Sequence, residues 1–240
     1  MKFRFTEELV KGVIKSRPNR FIMLVEVDGQ IEKCHCPSTG RIGRIDFRHI
    51  PCLLSKSDSD KRQTKYTVEA IYPDSAQGVL IGINQIKANA YINFFLINNL
   101  LDTMISANEV RREVFLNQSK IDFFINGNCY IEVKTPLKDI PFGQKLVRDK
   151  FHSFERLVRH CSDISSQISE GQRAVILLCH LYDAKPFVPP KTIDKNGRYI
   201  KEAVKQCVTN GVEHWQINLQ LDRTGVSLID YFKLDLSSYL

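Results

Sequence analysis

Along the first third of the chain, apolar and polar positions alternate in short bursts. "FIMLVEV" (21–27) and "QIEKCHC" (30–36) are such bursts, and Asp28-Gly29 between them is a hairpin signal. "PCLLSKS" (51–57), "KYTVEAIY" (65–72) and "GVLIGI" (78–83) follow. Five short strands in this span predict a small closed barrel of the OB type, with a sandwich as the alternative. The pattern then changes. "ANAYINFFLINNLLDTMIS" (88–106) carries Ile92, Phe95, Leu96, Leu100 and Ile105 at helical spacing. "REVFL" (112–116), "KIDFFI" (120–125) and "CYIEVK" (129–134) read as three strands in succession, and a helix is expected around 146–165. "RAVILLCHL" (173–181) is apolar throughout, as in a central strand. "RYIKEAVKQCVTN" (198–210) is an amphipathic helix stopping before Gly211, and "VEHWQINL" (212–219) is a last strand. The expected architecture is an all-β, OB-like first part, residues 1–83, and an α/β part with a mixed sheet, residues 84–240. "KPFVPPK" (185–191) reads as an ordered loop.

The strand "CYIEVK" poses a chemical question, because Glu132 and Lys134 interrupt an otherwise apolar run. Alternation puts both on one face. The preceding strand carries Asp122, and the connection "NGN" (126–128) sets the register. A two-residue loop sends Asp122 and Glu132 to opposite faces. A three-residue loop places them across from each other. In that register two carboxylates share one cation, and hard oxygen ligands suit Mg2+ or Mn2+. Such a cation polarises a phosphate and activates a water, while Lys134 orients that water or stabilises the developing charge. Glu113 is a candidate further acidic ligand. The plainer reading of E-x-K is a local ion pair on a strand face.

The net charge of +7 favours a polyanionic partner, DNA or RNA first among them. The excess is spread, with 14 Lys/Arg against 10 Asp/Glu in residues 1–83 and 20 against 17 in the rest. Arg41, Arg44, Lys61, Arg62 and Lys65 of the barrel half could track phosphates, with Phe47 or Tyr66 as a stacking face. "STG" (38–40) lacks the spacing of a phosphate-binding loop and reads as a turn. The seven cysteines, the charged start "MKFRFTEELV" and the absence of a long apolar run point to a cytoplasmic protein with reduced thiols and no membrane span. Cys34 and Cys36 flank His35, but no second cluster completes a zinc site, so packed thiols are preferred.

Taken together, "RREVFLNQSKIDFFI" and "YIEVKTPL" resemble the sugar fermentation stimulation protein A family, whose members carry R-E-V, S-R-I-D-F and Y-V-E-V-K. "HCPSTGRIGRI" (35–45), "KRQTKYTVEA" (61–70), "GQRAVILL" (171–178) and "NGVEHW" (210–215) extend the likeness over nearly the whole chain. The resemblance implies an OB-like domain followed by a PD-(D/E)XK-type nuclease domain. Asp122, Glu132 and Lys134 match its catalytic core, and Glu113 matches the R-E-V glutamate. A nuclease of this type often acts on duplexes as a dimer, so a homodimer is among the expectations. The chain departs from the family after the E-V-K strand. "IPFGQKLVRDKFHSFERL" keeps Arg148, His152 and Glu155 but not the Asp, Gly and Lys of that motif. Lys120 stands where the family has Arg, and the Q-R after the central strand is missing. Two functions follow as expectations: metal-dependent phosphodiester hydrolysis, or a DNA-binding regulator of sugar metabolism with weak or silent chemistry.

Overall fold

The structure is a computed structural model. It describes residues 1–38, 42, 45–57, 62–74, 78–116, 119–137, 140, 164, 171–187 and 195–236. Seven strands lie in the N-terminal part: β1 (Lys2–Arg4), β2 (Val10–Asn19), β3 (Ile22–Val27), β4 (Gln30–His35), β5 (Ile50–Lys56), β6 (Tyr66–Asp74) and β7 (Val79–Gly82). The strand order β4-β3-β2-β5-β6-β7, with β4 also paired in parallel to β6, closes β2 to β6 into a five-stranded OB-like barrel. The predicted hairpin is present: Asp28 and Gly29 both take positive φ, and Val27 pairs with Gln30. Barrel closure is sealed by a core that includes Ile14, Met23, Val25, Leu54 and Val68.

The second part is a curled seven-stranded mixed sheet. Its further strands are β8 (Val110–Leu116), β9 (Ser119–Ile125), β10 (Cys129–Lys134), β11 (Arg173–His180), β12 (Glu213–Asp222) and β13 (Gly225–Lys233), and its order is β1-β13-β12-β11-β10-β9-β8. Strands β10, β11 and β12 run parallel, which demands crossover connections. Helix α1 (Ala88–Ile97) buries Tyr91, Ile92, Phe95 and Leu96 against one face of the sheet. It stops at Asn98, short of the helix expected to 106, and turns cover the rest. Asn99 takes positive φ there, and its side chain accepts a hydrogen bond from the amide of Ala107. Helix α2 (Lys195–Thr209) precedes β12, and the helix expected at 146–165 falls almost wholly outside the described residues.

Three strands escape the hydrophobic pattern. β2 holds Gly12 and Pro18 and has one fully buried side chain, Ile14. β1 is three residues long and, among the described residues, pairs only with β13, whose exposed and half-buried positions do not alternate strictly. Pairing across the molecule, not local periodicity, makes these segments strands.

The two parts meet along a packed seam. Gly82 ends β7, and its amide donates to the Leu181 carbonyl at 2.8 Å. A Cβ at Gly82 would lie 2.5 Å from the Cβ of Leu181, so only glycine lets the barrel approach the end of β11 this closely. Beside it, Glu69 is fully buried and takes hydrogen bonds from Ser55, Asn84 (2.8 Å) and Lys87 (2.6 Å). The apolar cores interlock as well, since Leu9, Leu53 and Ala70 of the barrel half pack with α1 and the sheet.

Candidate active site

The loop between β9 and β10 follows the three-residue register. Cys129 pairs with Ile125, Tyr130 with Phe124 and Ile131 with Phe123. Asn126 and Gly127 supply the positive φ angles. The Asn126 side chain explains its own conformation. It accepts from the amides of Asn108 and Glu109 and donates to the Ser106 carbonyl, tying the loop to the start of β8.

The ladder ends one step before Asp122 and Glu132. Instead of a backbone pair, the Asp122 carboxylate accepts from the Val133 amide at 2.8 Å and from Asn89 Nδ2 of α1 at 2.7 Å. Strand alternation slips at this point. Phe123 and Ile125 pack in the core under α1, whereas Ile121 and Phe124 both pack on the opposite side. Across the ladder Glu113 takes φ 58°, and the pairing skips from Arg112–Phe123 to Val114–Ile121. A twist in both strands thus re-aims Asp122 toward β10.

Glu132 is 2% exposed and forms an ion pair with Lys134 Nζ. A buried carboxylate costs several kcal/mol unless it is paired and hydrogen-bonded, roughly the range for a desolvated ion. That is the physical reason for E-x-K in this strand. Burial, and then the nearby Glu132 charge, raise the pKa of Asp122, while the Val133 amide, Asn89 and Lys134 pull it back. Asp122, Glu132 and Lys134 are therefore one electrostatic unit where the β9–β10 ladder stops.

The donor set fits a hard divalent cation. The Glu132 charge raises the proton affinity of Asp122, and carboxylate oxygens retain lone pairs after one hydrogen bond each. Among the described residues, no group of three or more His, Cys, Asp or Glu side chains converges. The structure places Glu113 apart from the pair. It is exposed and bonds Lys120 at 2.5 Å, which lowers its pKa.

The barrel contributes a basic and aromatic face. The β2–β3 turn projects Phe21, 44% exposed, with the Arg20 guanidinium 4.7 Å from its ring centroid. Arg17 lies 5.4 Å from the Phe47 centroid and donates to the carbonyls of Arg20 and Ser38. Arg62 meets His35 Nδ1 at 3.0 Å. Lys65 instead lies over Tyr66, whose ring belongs to the barrel core and offers no open face. Arg41, Arg44, Lys61 and Arg148 fall outside the described residues. Cys34 and Cys36 point into the core, on the opposite side of the strand from His35, and burial pushes the Cys34 thiol up to about 12.

This face connects to the carboxylate site. Ser38, held by Arg17, donates to the Ile83 carbonyl and contacts Gln85 Oε1 at 3.1 Å. Gln85 Nε2 donates to the carbonyl of Thr135, next to Lys134. Pattern reading passes over Asn89, Arg17, Arg20 and Phe21, which the structure brings to these two places. The polar Asn89 at the start of an apolar helix was the available signal for the first, and the unrecognised β2 hid the others.

Comparison with known proteins agrees with this architecture. Residues 16–83 match the profile of the SfsA N-terminal OB domain, and residues 86–225 match the sugar fermentation stimulation protein RE domain. A sugar fermentation stimulation protein homolog of a Synechococcus strain is 30% identical over 97% of this chain and 95% of its own. A homolog of Maricaulis maris is 28% identical over 98% of this chain and 99% of its own. The Pyrococcus furiosus SfsA structure, solved in complex with Ca2+, superposes with a TM-score of 0.77 at 19% identity, covering 98% of this chain and all of that one. The closed barrel, the curled mixed sheet and these matches together place the chain in the sugar fermentation stimulation protein (SfsA) family.

Proposed function

We propose that the chain binds nucleic acid through its barrel and feeds it toward an Asp122–Glu132–Lys134 site that is weak or silent in turnover. One observation carries this reading. The guanidinium–aromatic face of Arg17, Arg20, Phe21, Phe47 and Arg62 runs through Ser38 and Gln85 to Thr135, beside Lys134. Stacked rings with adjacent cations suit bases and phosphates together, and the net charge of +7 supports a polyanion. The family name adds a regulatory link to sugar use, and a DNA-binding regulator is the form such a link takes here.

A second reading is metal-dependent phosphodiester hydrolysis of the PD-(D/E)XK type. Its support is the coupling of Asp122 to Glu132 and the Ca2+ held by the Pyrococcus furiosus protein. Asp122 and Glu132 would hold Mg2+ or Mn2+, and the cation would supply phosphate polarisation and an acidified water. Lys134 would orient that water. Against rapid turnover, Asp122 is engaged by Asn89 and Val133, and Glu132 by Lys134.

Labelled single- and double-stranded DNA and RNA, incubated with Mg2+, Mn2+ or EDTA beside Glu132→Ala, separate the readings. Retardation in a gel with little or no cutting supports the first. Vigorous metal-dependent cutting that Glu132→Ala abolishes replaces it with the second.

A further inference from the structure

Two buried side-chain amides, Gln216 and Asn218 of β12, hold the loop that follows β11. A buried amide is stable only where its donors and acceptors are met. These two meet theirs on each other and on the backbone of 184–187. Gln216 Oε1 accepts from the Phe187 amide at 2.8 Å, and its Nε2 donates to the Lys185 carbonyl at 3.1 Å and to Asn218 Oδ1 at 3.0 Å. Asn218 Nδ2 donates to the Ala184 carbonyl at 2.7 Å. Tyr182 and Ala184 meanwhile pack into the barrel core, and the ring of Pro186 fixes one more φ angle. The loop is thus set in shape from both halves of the molecule.

This shape displays Lys185, Pro186 and Phe187, all exposed, with Phe187 at 41%. A single exposed aromatic ring is ordinary. Its location is what matters here. In the parallel ladders Lys134 pairs with Leu178, and Leu178 with Gln216. Lys134 and Gln216 therefore stand at one level and project from one face of the sheet. That face is the one opposite α1, since Val133, Leu177 and Trp215, of the other alternation, pack in the core under α1. The Cα atoms of Lys134 and Gln216 are about 10 Å apart, two ideal strand spacings. The Phe187 backbone, bonded to the Gln216 side chain, lies on the face that carries the Glu132–Lys134 ion pair. The loop also starts at the seam, because the Leu181 carbonyl takes the Gly82 amide of the barrel.

We infer that Phe187 is a base-stacking platform for single-stranded nucleic acid and that Lys185 beside it meets a phosphate of the same strand. This deepens the proposed function and rests on it. A flat ring stacks on any base, and a neighbouring ammonium neutralises backbone charge, so the pair suits a polyanion of any sequence. A loop already held by buried amides has little freedom left to lose on binding. A duplex keeps its base faces stacked on one another, so the platform selects single strands.

Fluorescence anisotropy of a fluorescein-labelled single-stranded DNA, over a salt series with the full chain, tests the inference. Phe187→Ala binds about tenfold more weakly, the loss expected of one stacked base, with the salt slope unchanged. Phe187→Leu is equally weak and Phe187→Trp keeps wild-type affinity, because stacking needs a flat ring and packing does not. Lys185→Ala lowers the slope of log affinity against log salt by about 0.7, the value for one phosphate of a single strand. A strand carrying the fluorescent base aminopurine gives a second readout, quenched on wild type and less quenched on Phe187→Leu. Wild-type affinity and quenching in Phe187→Leu overturn the inference, since that variant fills the space without a π face. An equal loss on duplex DNA overturns it as well. Absence of any binding by wild-type protein at low salt is a distinct result, which rejects the proposed function and this inference with it.

Discussion

The Asp122 carboxylate takes the Val133 backbone amide at 2.8 Å, where a main-chain carbonyl would accept it in a regular ladder. That substitution of side chain for backbone ends the β9–β10 pairing and brings Asp122 into the field of Glu132. It also leaves a carboxylate partly desolvated beside a second one, an arrangement that costs stability and that a cation or a proton relieves.

Asp122→Asn therefore stabilises the free protein at neutral pH and removes its response to metal. The sign follows from the raised pKa of Asp122. The folded protein holds this proton more tightly than the unfolded chain, so the site is least costly below the ordinary carboxylate value of about 4. Stability is lost as pH rises from there through the raised folded pKa. The Tm difference between Asp122→Asn and wild type widens over that interval in a thermal-melt series, and added Mg2+ narrows it by stabilising wild type alone.

Lys134→Ala leaves the Glu132 carboxylate, with a side chain only 3% exposed, without its ion-pair partner. Breaking a buried pair from one side costs about 3 kcal/mol. Replacing both residues, as Glu132→Gln with Lys134→Met, costs less than Lys134→Ala alone. Urea denaturation of the two variants measures the difference, and equal losses would show that the pair carries no coupling.

Gly82→Ala tests the seam. The new methyl would sit 2.5 Å from Leu181 Cβ and 3.1 Å from the Leu181 carbonyl oxygen, with backbone on one side and core on the other. Overpacking of this kind costs about 2 kcal/mol. The variant lowers Tm and, by moving the barrel against the end of β11, weakens DNA binding too.

On the barrel, Arg20→Ala and Arg62→Ala each reduce the slope of log affinity against log salt by about one, the signature of a lost phosphate contact. Phe21→Ala weakens binding by about 1–3 kcal/mol if a base stacks on the ring, with the salt slope unchanged. Fluorescence anisotropy over a salt series separates these effects.

The sequence made the barrel and the site pair legible through different signals. Asp28-Gly29 and the alternating strands around it marked the hairpin because turn chemistry and burial are local. The register at Asn126-Gly127-Asn128 was narrowed to two choices by strand geometry, and the ties of Asn126 to 106–109, which lie far off in sequence, selected one. β2, β1 and β13 stayed hidden because their hydrogen bonds, not their own patterns, make them strands. The placement of Glu113 was equally hidden, since its positive φ and bond to Lys120 arise from the twist shared by β8 and β9.

The most direct test of the account is the affinity of wild-type protein for a labelled 20-nucleotide DNA, measured in EDTA from low to physiological salt. The account predicts binding that needs no metal and weakens steadily as salt rises, with the DNA intact at the end. Absence of binding at the lowest salt would contradict it.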